Sequence, residues 1–139
     1  MISFQVKGTE RAAGNLQKFQ GNLVKMLERD VKKAGYMVQR SAKINVTNVV
    51  LRRRSGNLGS SITNVFGPVG GKIATTVGTK VIYGKTHEFG ATIQNGFGRG
   101  IQIHVPKRPW LSRAADENRD KIYRMFGNSV SVQMRKDGV

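Results

Sequence analysis

The chain has 139 residues, of which 24 are lysine or arginine and 8 are aspartate or glutamate, giving a formal net charge of +16. This length fits one domain with its own core, and the charge predicts an anionic partner, whether nucleic acid, an acidic protein surface or a membrane surface. The absence of cysteine excludes a disulfide framework and a thiolate zinc site.

The membrane is the least favoured of these partners. No apolar run approaches the length of a membrane span, and the first residues lack the charged start and apolar core of a secretory signal peptide. An amphipathic helix that must build the core has no apolar face left for a bilayer. We therefore expect a protein made in the cytoplasm with no membrane partner.

Residues 9–46 are predicted to form one long amphipathic helix, with Thr9 as its cap and Gly21-Asn22 as a possible kink or break. Its apolar side chains recur at steps of three and four residues. The predicted apolar stripe consists of Leu16, Phe19, Leu23, Leu27, Val31, Ala34 and Val38.

The opposite side of this helix is predicted to be a cationic face. Solvated helix faces normally mix charges of both signs, whereas only Glu10, Glu28 and Asp30 oppose these cations. A solvated face and a surface for an anionic partner both fit the pattern. The cationic face consists of Arg11, Lys18, Lys25, Arg29, Lys32, Lys33, Arg40 and Lys43.

A flexible loop is predicted at about residues 48–57, and it carries Arg52, Arg53 and Arg54. These arginines either bind phosphates or acidic side chains, or belong to a linker.

The remaining elements follow from hydrophobic periodicity and from turn residues. Short strands are predicted at residues 2–6, at 61–66 and 73–77 as one hairpin, and at 91–94 and 101–105 as a second hairpin with its tip at 95–100. Residues 83–90 favour a helical turn. A last helix at 112–126 is expected to stop at Gly127, and the tail 128–139 favours a strand at 130–134 offered to a neighbouring subunit.

This order of elements predicts a single α+β domain spanning residues 1–139, with the long N-terminal helix and a C-terminal helix packed on an antiparallel sheet of short strands.

No constellation typical of an enzyme is present. His87, Glu88 and His104 lack the spacing of metal ligands, so Glu88 is expected to make a structural hydrogen bond within a turn. The glycine-rich loop at 96–100 joins two strands and opens no helix, unlike a phosphate-binding loop. We therefore expect no catalytic residue, no metal and no cofactor.

Three segments resemble, in order and spacing, a family of structural proteins from long-tailed double-stranded DNA phages. The stretch SGNLGSSI at 55–62 is similar to S/T-G-x-L-x-x-S-I, residues 77–90 to V-G-T…Y-A…E-F-G, and PKRPWL at 106–111 to P-A-R-P-F-L. These are the tail-completion or head–tail joining (neck) proteins, similar to the minor tail protein Z group. The resemblance implies structural anchors at Gly56, Leu58, Tyr83, Glu88, Phe89, Gly90, Pro109, Trp110 and Leu111.

The chain departs from this pattern at two anchor positions. Gly84 stands where the family has alanine, and Trp110 stands where it has phenylalanine. The three consecutive arginines and the hairpin tip have no counterpart in the pattern, so no role carries over to them. Tyr83, Phe89, Trp110 and Leu111 are expected to be buried together.

The resemblance implies a virion protein without enzymatic activity that forms a homo-oligomeric ring at the head–tail junction and is assembled in the host cytoplasm. Its implied partners are itself, the neighbouring connector and tail proteins, and the phage DNA end as a candidate. The cationic face would then lie against DNA or an acidic neighbouring ring. The alternatives are a free-standing basic nucleic-acid-binding protein and a basic adaptor that docks on an acidic protein.

Overall fold

The computed structural model describes residues 9–51, 56–94, 100 and 102–139, with side chains from Arg11 onward. It confirms an α+β architecture. Its helices are α1 (Thr9–Ile44), which continues into a π-helical turn (Asn45–Val49), α2 (Asn57–Ser61), α3 (Ile82–Phe89) and α4 (Leu111–Asp137). Its strands are β1 (Thr63–Val69), β2 (Lys72–Gly78), β3 (Ala91–Gln94) and β4 (Gln102–Val105).

Helix α1 is continuous over its 36 residues, so the chain does not break at Gly21-Asn22. A methyl group built at Gly14 or Gly21 would meet open space, so neither glycine is needed for a close approach. One helical glycine costs about 1 kcal/mol relative to alanine, which the flanking turns of a long helix tolerate.

The chain forms two compact units. The first unit comprises Met1–Asp30 and Lys121–Val139, and the second comprises Val31–Asp120. Helices α1 and α4 each contribute residues to both units.

In the first unit, the buried positions of α1 are Met26 and Asp30, whereas Leu16 of the predicted stripe is 55% exposed. Phe19, Leu23 and Leu27 are half-buried. The buried stripe therefore lies to one side of the predicted one. It includes an aspartate because Asp30 stands one helical turn from both Met26 and Ala34.

The tail is helical, which corrects the predicted stop at Gly127 and the predicted strand at 130–134. Val130 and Val132 alternate with serines, a pattern that also fits a strand, but Phe126, Val130 and Gln133 are half-buried at helical spacing. Near the end of α4, Asp137 accepts hydrogen bonds from Asn22 Nδ2, at 3.0 and 3.1 Å, and from Gln133 Nε2. These contacts hold the last turn of α4 against α1.

The second unit contains the main hydrophobic core. Its largest buried side chain is Trp110, at 1% exposure, and Val38, Val77 and Leu111 pack around the cluster. The buried core residues are Ala42, Val46, Leu51, Leu58, Ile62, Trp110 and Ala114.

Both predicted hairpins are confirmed, but they form two separate two-stranded antiparallel sheets among the described residues. In the first, Thr63 pairs with Gly78 and Val69 with Lys72. In the second, Ala91 pairs with Val105 and Gln94 with Gln102.

Several predictions lie outside the described residues: the strand at 2–6, the arginines Arg52, Arg53 and Arg54, and the hairpin tip at 95–99. The ends of the predicted loop 48–57 are ordered elements of the fold. Asn48 belongs to the π-helical turn, Leu51 is buried, and α2 begins at Asn57.

Candidate functional site

The segments that carry the family resemblance meet around the side chain of Trp110. Its indole Nε1 donates a hydrogen bond to the carbonyl oxygen of Gly84 at 2.9 Å. Its own carbonyl accepts one from Asn45 Nδ2 at 3.1 Å. Leu58 belongs to the same buried cluster. Residues separated by more than fifty positions in sequence therefore form one packed group, which we call the motif cluster (Leu58, Gly84, Glu88 and Trp110).

Glu88 caps the N-terminus of helix α4 from a distant position in sequence. Its carboxylate accepts hydrogen bonds from the backbone amides of Trp110, Leu111 and Ser112 at 2.8–2.9 Å, and from the Ser112 hydroxyl. The first amides of a helix have no intrahelical acceptor and carry partial positive charge, which a carboxylate satisfies. The predicted hydrogen bond of Glu88 is thus made, but to another helix and not within its own turn.

The electrostatics of Glu88 follow from these contacts. Burial raises the pKa of its carboxyl, but the hydrogen bonds from the Ser112 hydroxyl and from the three backbone amides outweigh burial. The pKa therefore lies below the ordinary value of 4.5. Glu88 remains ionised at neutral pH, where a carboxylate binds the helix terminus most strongly.

The glycine at position 84 is required by close packing. A Cβ there would lie 2.6 Å from Thr79 Cγ2, 2.9 Å from Leu58 Cδ1 and 3.6 Å from Trp110 Cζ2. Gly84 and Trp110 are the two positions at which the chain departs from the family pattern. A Cβ at position 84 would make only ordinary contact with Trp110, so the overlap that disfavours alanine comes from Thr79 and Leu58.

Two further anchor glycines have left-handed backbone conformations. Gly56 precedes α2 with φ 78°, and Gly90 follows α3 with φ 73°. A Cβ at Gly90 would also lie 3.1 Å from the backbone nitrogen of Lys107. Both positions therefore favour glycine for conformational reasons, and Gly90 does so for space as well.

The prediction that Tyr83 and Phe89 are buried is wrong. Tyr83 is 42% exposed and Phe89 is 66% exposed, whereas Trp110 is buried and Leu111 is half-buried beside half-buried Pro109. Helix α3 has only two turns, and its inward face is taken by Gly84 and Glu88, one turn apart. Phe89 lies about 100° further round the helix than Glu88, which takes its ring away from the inward face.

The residues of the cationic face that lie in the first unit are exposed. Lys18, Lys25 and Arg29 border a shallow depression together with Lys136 of α4, which the sequence did not assign to this surface. Asp137 forms part of the lining. Its pKa is lowered by the Gln133 hydrogen bond, which outweighs burial, and further by the Asn22 hydrogen bond and the charges of Lys18 and Lys136.

Arg29 has a second role in the first unit. Its guanidinium lies 3.1 Å from the carboxylate of Asp30, which is 2% exposed. Among the described residues, Arg29 is the only α1 cation with a carboxylate within 4.0 Å. The other Asp30 oxygen is buried without a hydrogen-bond partner in the described part of the chain. Arg29 is therefore partly committed to compensating a buried charge.

In the second unit, the cations of α1 are also exposed. The Lys32 ammonium lies 4.6 Å from the centre of the Phe66 ring, within the range of a cation–π interaction. Arg40 and Lys43 border a shallow groove with Tyr36, which is 65% exposed. This groove combines positive charge with an accessible aromatic ring.

Comparisons with protein-family models, with curated proteins and with solved structures give no match to this chain.

The residues weighed for metal binding are not arranged as ligands. The oxygens of Glu88 face the amides of α4, and His104 is exposed with its Nδ1 3.4 Å from the Thr92 hydroxyl. Across residues 9–51, 56–94 and 102–139, no group of three or more histidine and acidic side chains is placed to hold a metal ion. None of the helices described is long and apolar enough to span a membrane.

Proposed function

We propose that this chain is a structural virion protein that forms a ring at the head–tail junction of a long-tailed DNA phage. There it completes the tail and joins it to the capsid connector. It acts by binding, not by catalysis. Its partners are further copies of itself and the neighbouring connector and tail proteins, with the DNA end in the channel as a candidate ligand.

The observation that carries this proposal is the motif cluster. The resemblance rests on three short segments, none specific alone, and Leu58, Gly84, Glu88 and Trp110 bring all three into direct or shared contact. Residues that depend on one another physically are more informative as a set than three independent short matches.

The cationic face supports an anionic partner for such a ring. Its lysines and arginines are exposed along α1, and only Arg29 is paired with a carboxylate among the described residues. Aligned like charges repel one another, so a partner or salt must offset them. DNA in the channel is the leading candidate, and an acidic surface on a neighbouring ring is the second.

The proposal is tested by removing the gene from the phage that encodes the chain. Filled heads and separate tails should then accumulate, and supplying the wild-type chain should restore joined, infectious particles. If particles lacking the chain join and infect normally, the proposed function is wrong.

The role of the cationic face is tested with Lys25, Lys33, Arg40 and Lys43 all replaced by glutamine. Arg29 is retained because it pairs with buried Asp30. The matched control replaces the exposed residues Lys80, Lys85, Lys107 and Lys121, which changes the net charge equally. If the face binds DNA, the first variant should flatten the slope of log affinity against log salt by up to about 3.6, at about 0.9 per phosphate. Equal slopes for the two variants would show that the face is merely solvated.

A free-standing nucleic-acid-binding protein is the second candidate. The groove formed by Tyr36, Arg40 and Lys43 favours it, because an exposed ring beside cations can stack on an unpaired base. Tyr36→Ala should weaken binding of single-stranded DNA by about 1–3 kcal/mol under this alternative. It should leave particle assembly unchanged under the head–tail joining proposal.

A further inference from the structure

The β1–β2 ribbon (residues 63–78) lies within the longest stretch of this basic chain that is almost free of charge. Charged residues make up 23% of the whole sequence, yet Lys72 is the only one between positions 55 and 79. Strand β1 carries none. Depletion of charged side chains is the compositional mark of the centre of a protein–protein interface.

One face of the ribbon is occupied by its own unit. Gly35 lies against the side chains of Asn64 and Thr75, Lys32 lies over the Phe66 ring, and Val77 packs on the core cluster. These residues alternate along the two strands and therefore share the inward face.

The opposite face of the ribbon carries small and β-branched side chains, with one lysine, Lys72, opposite Val69 beside the turn. Val65 is 62% exposed and Val69 is 58% exposed, and the cross-strand partner of Val65 is the exposed Thr76. Gly67 and Ala74 pair between them, so the middle of this face is flat. We call it the outer ribbon face (Val65, Gly67, Val69, Ala74 and Thr76).

Within the described chain β1 pairs only with β2, so each strand of the ribbon has one edge without a strand partner there. Proteins usually protect such edges with charged side chains or with proline. Strand β1 has no charge and one proline, Pro68, near the turn, so residues 63–67 are the least protected part of its edge.

We propose that the outer ribbon face and the strand edges beside it bind a second copy of this chain. Two chains of net charge +16 repel each other, so they associate through the surface of lowest charge, and the outer ribbon face has one cation, Lys72, at its turn end. An anionic partner would instead be drawn to the cationic face of α1. The inference rests on the proposed function only in that a ring requires contact between copies.

Association through a face of low charge on a highly charged chain has a characteristic salt dependence. Added salt screens the repulsion between copies, so self-association should strengthen as the Debye length falls below about 10 Å. Binding to DNA should weaken over the same range. The sign of the salt effect thus separates this inference from the anionic-partner proposal.

The test is sedimentation velocity of the full chain at several concentrations, in about 0.1 M and about 0.5 M salt. Wild type should self-associate, and more strongly at the higher salt. Val65→Lys should weaken association about tenfold or more, because it places like charges opposite each other. The matched control, Tyr123→Lys, adds the same charge at a position that is 68% exposed in the first unit, and it should associate like wild type.

Thr76→Lys probes the same face from the partner strand and serves if Val65→Lys does not fold. A wild-type chain that stays monomeric in every condition overturns the inference, as does a V65K chain that associates like wild type. If V65K lowers the Tm but leaves self-association unchanged, position 65 packs against the chain's own residues. The inference then fails. Particles that form normally with a folded V65K chain would refute the ribbon contact while leaving the head–tail joining proposal intact.

Discussion

At the scale of single residues, Glu88 connects two of the resembling segments. A carboxylate on α3 satisfies three backbone amides at the start of α4, so the short helix and the long one form as a pair. Hydrogen bonds to a charged group typically contribute about 1.5–3 kcal/mol.

We predict that Glu88→Gln lowers the free energy of unfolding by about 2 kcal/mol at neutral pH. The glutamine side chain is neutral, so its hydrogen bonds to the backbone amides of α4 are weaker than those of a carboxylate. The folded pKa of Glu88 is lowered, so its contribution is complete above its unfolded value. It is lost as pH falls through the folded pKa. The difference between wild type and E88Q should therefore be largest above pH 4.5 and shrink below it.

Urea unfolding across pH measures this difference. Glu117→Gln is the control, because Glu117 pairs with Arg113 at an exposed position of the same helix. It should change stability by less than about 1 kcal/mol. An E88Q curve parallel to wild type through the acid range would contradict the capping role.

The aromatic anchors Trp110 and Phe89 differ in burial, which the sequence alone could not show. Trp110→Ala should cost about 3–5 kcal/mol because it empties the motif cluster. Phe89→Ala should change stability by no more than about 0.5 kcal/mol, because the ring is 66% exposed. Thermal unfolding of the two variants tests the prediction, and equal losses would place Phe89 in the core after all.

The close packing around Gly84 predicts non-additive substitutions. Gly84→Ala alone should destabilise by about 1–3 kcal/mol, because the new methyl overlaps Thr79 and Leu58. Thr79→Ser removes the nearest overlapping atom, Cγ2, and keeps the hydroxyl that binds Ser61 and the Val81 amide. The double variant should therefore be more stable than the sum of the single effects by at least about 0.5 kcal/mol. Denaturant unfolding of all four chains completes the cycle, and strict additivity would contradict the packing argument.

At the scale of elements, the sequence predicted what depends on local periodicity. The long helix followed from apolar spacing, and the first hairpin followed from β-branched runs on either side of turn residues at 67–71. Which face of a two-turn helix points inward depends on tertiary contacts, so the exposure of Phe89 could not be predicted. The same is true of the burial of Asp30, although its spacing from Met26 and Ala34 gave a signal.

Helix α4 continues through Gly127, and a Cβ built on this glycine would meet open space. Gly127→Ala should raise stability by up to about 1 kcal/mol and increase helical circular dichroism. Gly127→Pro should cost about 3 kcal/mol by breaking the helix. If the tail were a strand after Gly127, the proline variant would keep wild-type helicity.

At the scale of the whole molecule, charge is divided between surfaces. Cations line the exposed side of α1, while the β1–β2 ribbon is nearly neutral. A chain built this way can meet copies of itself through one surface and an anion through another. Sequence predicted the cationic face because a charge pattern on a helix is local. It could not identify the outer ribbon face, because which side of the hairpin packs on α1 is decided by Gly35, Phe66 and Val77.

The most direct test of the head–tail joining proposal is cryo-electron microscopy of purified phage particles that contain this chain, without imposed symmetry at the neck. We expect a ring of density between the capsid connector and the tail tube into which copies of the chain fit. That density should be missing when the gene is removed. Particles in which the chain is absent from the neck, or is found elsewhere in the virion, would show that the head–tail joining proposal is wrong.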